Sequence, residues 1–231
     1  MSPQPKKKVL VCVPSGDGTN RTELTKYLVH LAFRGLTDPT FEWTFGFEFV
    51  LGCSPVEYAR NELVRNFHKS NADLLWFIDA DMVPLEGSHL TLMAPYDVTF
   101  GPCPMFIQAG SGRMVLTANV FSAKEEDGSW RTWTPDDVDP IAGGTANMVV
   151  RRKVLEDPRM WVDEDKSVFR RDYEAGGKIR QGEDVDFCQR ARECGYTTGC
   201  VMGAKTDHVK PLAMDLVVQT VLSQIDEHQR S

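Results

Sequence analysis

Asp73-Leu74-Leu75-Trp76-Phe77-Ile78-Asp79-Ala80-Asp81-Met82-Val83-Pro84 is the stretch on which the fold turns. Leu74 to Ile78 is apolar without alternation, which is the pattern of a strand covered on both faces by helices. It marks the centre of a sheet. Upstream, Lys8 to Val13 reads as a first strand, the turn signal Ser15-Gly16-Asp17-Gly18 follows it, and Leu24, Leu28, Leu31 and Ala32 recur at helical spacing. Phe45 to Gly52 reads as a second strand and Pro55 to Ser70 as a second helix, with Tyr58, Leu63, Val64 and Phe67 facing inward.

Downstream, Asp97 to Gly101 and Met148 to Arg151 read as strands, the latter after Gly143-Gly144. Gly182 opens a helix that runs to Glu193 or Cys194, with acids in its first turn, Arg190 and Arg192 near its end and Gly195 closing it. Tyr196 to Met202 reads as the final strand and Leu212 to Gln229 as a C-terminal helix. The segments 102–140 and 162–181 show little periodicity, and long irregular stretches of this kind serve as lids or binding loops. Trp130 and Trp133 fall in the first and Trp161 borders the second, either to stack on a sugar or base or to pack a lid. Strands alternating with helices give an α/β domain, with a mostly parallel central sheet flanked by helices and ligands at the carboxyl ends of the strands.

Composition bounds the function. A chain of 231 residues can bury about 70% of its unfolded surface in one core. Twenty-six Lys and Arg against 33 Asp and Glu give a net charge of -7, which removes the usual electrostatic case for nonspecific nucleic-acid binding. Lys6-Lys7-Lys8, Arg170-Arg171 and Lys178-Arg180 still offer either a local phosphate-binding rim or ordinary solvated faces. No apolar run approaches the ~18 residues of a membrane helix, and the apolar run after the N-terminal lysines stops at Pro14, too soon for a signal peptide. A cytoplasmic protein without membrane insertion is expected. Six cysteines with no C-x-x-C pair fit reduced thiols; Cys188, Cys194 and Cys200 form a soft-metal cluster only if Gly195 does not separate them.

Asp79-Ala80-Asp81 sits where the most buried strand ends. Two carboxylates this close repel each other unless a hard cation neutralises them, although Asp is also common in solvated turns. His208 follows the last strand with Asp207 beside it, and no apolar periodicity requires it. His30, His68 and His89 read as packing or surface residues.

With these features the chain resembles GT-A glycosyltransferases, in the compact form related to family 2 that is common among bacteriophage and bacterial proteins. The resemblance rests on the D-x-D segment Trp76 to Pro84, on Ala59-Arg60-Asn61-Glu62-Leu63-Val64, on Gly143-Gly144-Thr145 before Val149-Val150-Arg151-Arg152, and on Gly182 to Arg192 running on to Asp207-His208. It covers about Val9 to Val209. It implies a single GT-A, Rossmann-like domain over 1–231, with a nucleotide-binding half at 8–101, an acceptor and catalytic half at 102–211, and a C-terminal helix at 212–231.

The resemblance also implies roles. Asp81 and His208 would hold Mn²⁺ or Mg²⁺, with Asp79 near the ribose or indirectly on the metal. Arg60 and Asn61 would contact the nucleotide or support the D-x-D loop, unless Arg60 is a surface cation. Ser15 is a candidate donor contact, and Gly143 and Gly144 would let backbone approach the donor, or simply make a tight turn. Gly16-Asp17-Gly18 departs from G-x-G-x-x-G because Arg21 replaces the third glycine. Asp184 is the expected general base, with Glu183 beside it as a second catalytic acid, although Glu183, Asp184 and Asp186 are also ordinary partners of a helix start.

The expected function is metal-dependent transfer of a sugar, with inversion, from a nucleotide sugar such as a UDP-hexose to a hydroxyl acceptor. Hydroxymethylated pyrimidines of phage DNA or a cell-envelope glycan are the acceptors the resemblance suggests. Two alternatives stand beside it. A sugar nucleotidyltransferase would want basic residues between Ser15 and Thr19 to cradle a triphosphate, and there are none. A non-catalytic carbohydrate-binding protein would need neither the acidic helix start nor a metal clamp. The segment from Met105 to Pro140 is expected to order over the bound donor.

Overall fold

The computed structural model describes residues 6–108, 114–125, 130–134, 140–173 and 179–209. The C-terminal helix expected over 212–231, Lys178 and parts of the Met105 to Pro140 segment lie outside them. In chain order the elements are β1 (Lys7–Ser15), α1 (Thr22–Thr37), β2 (Trp43–Leu51), α2 (Val56–Lys69), β3 (Leu74–Ile78), β4 (Met82–Pro84) and β5 (Val98–Phe100). Then follow β6 (Pro104–Gln108), β7 (Met114–Ala118), β8 (Val120–Lys124), β9 (Trp130–Thr132), β10 (Ala142–Gly143), β11 (Asn147–Arg151) and the single turn α3 (Arg152–Leu155). The described chain closes with β12 (Asp172–Tyr173), β13 (Ile179–Gln181), α4 (Glu183–Glu193), β14 (Thr198–Cys200) and β15 (Thr206–His208).

Six strands form the central sheet in the order β14-β5-β11-β3-β1-β2. Every neighbouring pair is parallel except the two that β11 makes, with β5 and with β3. The α/β architecture with a mostly parallel sheet, layered as in Rossmann-like domains, therefore holds. Because β11 and β14 come from the second half of the chain, the two halves share one sheet.

Side-chain alternation builds a core on each face. Val9, Val11, Val13, Trp76, Ile78 and Val149 meet Leu24, Leu28 and Leu31 of α1. The intervening Leu10, Cys12, Leu75, Phe77, Met148 and Val150 meet α2 and α4 through Leu63, Phe67, Val185, Phe187 and Ala191. All of β3 is buried, as its unbroken apolar run requires.

Several expectations need correcting. Tyr58 is 62% exposed, because it lies off the stripe that Leu63, Val64 and Phe67 make on α2. Where described, the segment read as irregular is built of antiparallel pairs: β6 with β7, and β8 with β9 and β10. Val120 is buried in the core, with Trp130, Trp133 and Trp161 packed against the same cluster. The indole of Trp161 donates to the Leu155 carbonyl at 3.0 Å. These three tryptophans are packing residues. The strand after α4 is not the last, since β15 follows and pairs with β4. All six cysteines are free, and among the described residues no three His, Cys, Asp or Glu side chains gather as a metal site, so Cys188, Cys194 and Cys200 form no such cluster.

Candidate functional site

The carboxyl end of β1, the turn after β3 and the first turns of α2 and α4 converge on one place. There α2 turns from an apolar helix into a polar one: Leu63, Val64 and Phe67 pack in the core, while Glu57, Arg60 and Asn61 are buried one turn earlier. Burying a guanidinium requires charged partners. Arg60 Nη2 donates to both oxygens of Asp79, at 3.1 and 3.3 Å, and Nη1 donates to Glu183. Glu183 also accepts from Arg171 Nε at 2.9 Å, and Arg171 reaches Glu57 at 3.2 Å. A chain of ion pairs thus runs from the end of β3 through α2 to the start of α4. Burial alone would raise the Glu183 carboxyl, but Arg60 and Arg171 outweigh it and hold the group below its usual range.

The three acids that open α4 have different surroundings. Glu183 is clamped by two guanidiniums, and Asp186 accepts from Arg190 at 2.7 Å and Arg170 at 3.3 Å. Asp184 accepts only the backbone N–H of Val185, at 2.8 Å, among the described residues. Burial, and next the charge of Glu183, push its carboxyl up to about 6. Asp184 is therefore the one of the three suited to take a proton near neutral pH. Arg171 is engaged by Glu183 and Glu57, while Arg170, 55% exposed, reaches Asp186 at 3.3 Å. Lys6 is likewise engaged, donating to Gly35 O and Asp38 O at the end of α1.

His208 reaches the site through backbone pairing. In the β15–β4 register it stands opposite Met82, and Val209 N–H donates to Asp81 O at 3.1 Å. Its Nε2 lies 2.9 Å from Asp81 Oδ2. Asp79 faces Arg60 instead, and among the described residues no group of three His, Cys, Asp or Glu side chains is gathered as a metal cage. The donor set nevertheless fits a divalent ion shared with a ligand. One carboxylate and one imidazole face each other, and nearby two guanidiniums stand against Glu57, Asp79, Glu183 and Asp184. Asp81 and His208 offer one carboxylate oxygen donor and one imidazole nitrogen, a pair compatible with Mn²⁺ or Mg²⁺ only if the ion completes its shell from outside the protein.

Two hollows flank Arg60 and Asp79. A cleft of about 340 Å³ is lined by Ser15, Asp17, Arg21, Arg60, Asp79 and Asp81, among others. A smaller chamber of about 120 Å³ holds Asp184 and His208 together with Asn119, Gly144 and Thr145. Ser15 lines the cleft, but its hydroxyl is engaged within the loop, donating to Thr19 O at 2.6 Å. Asp17 Oδ1 accepts from Thr19 N–H and Oγ1, both at 2.9 Å, bonds that hold its carboxyl below the usual range. Gly18 has φ +76°, a conformation that costs glycine little.

One further sequence assignment changes. The side chain of Asn61 is used inside the fold: its amide donates to Phe169 O at 2.8 Å, and its oxygen accepts from the Val168 and Phe169 N–H groups. It fixes the strap that carries Arg170 and Arg171 rather than touching the cleft. Neither Gly143 nor Gly144 has room for a side chain: a Cβ would stand 2.4 Å from the Phe100 ring at Gly143 and 2.6 Å from Asn119 Nδ2 at Gly144. Only Gly144 lines the chamber. Arg21, Glu57, Arg171 and Thr145 were not singled out as site residues from the sequence. Arg21, noted only for breaking a glycine pattern, lines the cleft and donates to Val209 O at 3.2 Å.

No family model matches the chain, and no curated protein does. Among solved structures, the chain is similar to A197 from STIV, at 18% identity over 89% of this chain and 86% of that one, with a TM-score of 0.48. It is also similar to the inositol-1-phosphate CTP transferase from T. maritima, at 9% identity, 93% and 95% coverage and a TM-score of 0.40. HddC from Yersinia pseudotuberculosis matches at 11% identity, 85% and 90% coverage and a TM-score of 0.36. Among the described residues, no helix is long and apolar enough to cross a membrane.

Proposed function

We propose that the protein is a metal-dependent, inverting glycosyltransferase that moves a sugar from a nucleotide sugar, with UDP-hexose as the expected donor, to a hydroxyl acceptor. The observation that carries this reading is the environment of Asp184: a carboxyl pushed up to about 6, with no guanidinium of the described residues bonded to it, in a chamber beside a larger polar cleft. The nucleotide diphosphate would lie in the cleft with Arg21 at its phosphates. Arg60 is already shared between Asp79 and Glu183, so its part is to hold the end of β3 against the start of α4. Asp184 would accept the acceptor's hydroxyl proton as that oxygen bonds to the anomeric carbon. The bond from that carbon to the diphosphate breaks, and the nucleoside diphosphate leaves with its electron pair. Mn²⁺ or Mg²⁺, held by Asp81 and His208, would supply charge stabilisation for the leaving diphosphate.

The deciding experiment is a donor screen by hydrolysis, followed by incubation with hydroxymethylcytosine DNA and simple glycans under mass spectrometry. Turnover of a nucleotide sugar with release of the nucleoside diphosphate is expected, and pyrophosphate release from UTP would mark a nucleotidyltransferase instead. Calorimetry tests the metal: UDP affinity should fall at least about tenfold when EDTA replaces Mn²⁺, and Asp81→Ala should remove that difference. Equal UDP affinity with Mn²⁺ and with EDTA would overturn the metal assignment.

A further inference from the structure

Thr145 carries a hydroxyl for which the described residues supply no partner. The residue lies between β10 and β11, is 2% exposed, and its Oγ1 is buried with no hydrogen bond among the described residues. Such a group is costly to bury without a partner. Asn119, on the same chamber wall, uses its Oδ1 to accept from Cys103 N–H at 2.9 Å. Thr145 lines the same chamber as Asp184, whose other walls include the apolar Met82 and Met105. At about 120 Å³ the chamber equals roughly four water molecules in liquid, which is room for a hydroxyl-bearing edge of a sugar.

Resting on the glycosyltransferase reading, we propose that Thr145 is a specificity-determining residue, whose hydroxyl bonds a hydroxyl of the transferred sugar and so selects the donor. A site that presents a buried hydroxyl discriminates strongly against a ligand that leaves it unpaired. The test measures hydrolysis of UDP-glucose, UDP-galactose, UDP-N-acetylglucosamine and the 2-, 3-, 4- and 6-deoxy forms of the best of these, by wild type, Thr145→Val and Thr145→Ser. Valine keeps the shape and removes the hydroxyl. The expected result is a loss in kcat/KM of roughly tenfold to a hundredfold for Thr145→Val on the best donor, with UDP affinity retained and most activity restored by Thr145→Ser. One deoxy donor should lose as much with wild type and lose nothing more with the valine variant. If the valine variant fails to fold, the wild-type deoxy series still decides, since it must show one position with that loss.

Wild-type turnover with an unchanged valine variant, or an even deoxy series, overturns the assignment of Thr145 and leaves the enzyme reading standing. Absence of turnover with every donor sinks both.

Discussion

Asp184→Asn should lower sugar transfer by on the order of 10²-fold or more while nucleotide-sugar affinity stays within a few fold. Asparagine is nearly isosteric and can still accept from Val185 N–H, so the start of α4 survives and the proton acceptor is lost. The wild-type rate should rise with pH as this carboxyl ionises near its raised value of about 6, and product NMR should show inversion. Stability moves the other way. Because the folded-state value lies above that of an unfolded Asp, the unfolded chain loses its proton first, and stability falls as pH rises from about 4 through about 6. Above that window the asparagine variant should be the more stable by about 3 kcal/mol, with the gap closing below about pH 4. Denaturant titrations at both ends of the window measure this. Retention of configuration, or near wild-type turnover, removes Asp184 from the base role; loss of donor binding along with turnover would move it into the donor site.

Arg60→Ala should be the most destabilising single change at the site. It leaves Asp79 and Glu183 without the guanidinium that joins them, and Arg60 is only 4% exposed, so the loss should be about 3–5 kcal/mol. Lysine has one ammonium where arginine presents a planar fork, so Arg60→Lys should recover only part of it. Denaturant midpoints of the three proteins make the comparison. An alanine variant within about 1 kcal/mol of wild type would mean that water replaces the guanidinium and the bridge is not a support.

What was legible in the sequence follows the range of the forces involved. The run Leu74 to Ile78 announced a strand buried on both faces, and Gly195, at φ +89°, marked the end of α4, because each signal is confined to a few neighbouring residues. Three-residue strands such as β4 and β15 show no periodicity, so the pairing that sets His208 beside Asp81 could not be read locally. The same holds for β11: nothing in Asn147 to Arg151 says that it runs against its neighbours. A charge also looks the same in sequence whether it is solvated or paired. Arg171 read as part of a surface rim, yet it ties Glu183 to Glu57. Asn61 stood in the right motif, but its bonds go to a strap more than a hundred residues away.

The Arg60 bridge has a consequence for how the chain is made. During synthesis residues 60 and 79 emerge early, while their partner Glu183 and the imidazole of His208 come more than a hundred residues later. An N-terminal fragment can pair β1, β2 and β3 from its own residues, but it holds Arg60 with only one of its two carboxylates and Asp81 without its histidine. No such fragment holds even a partial copy of both contacts; the constellation exists only once the ribosome has delivered residue 208.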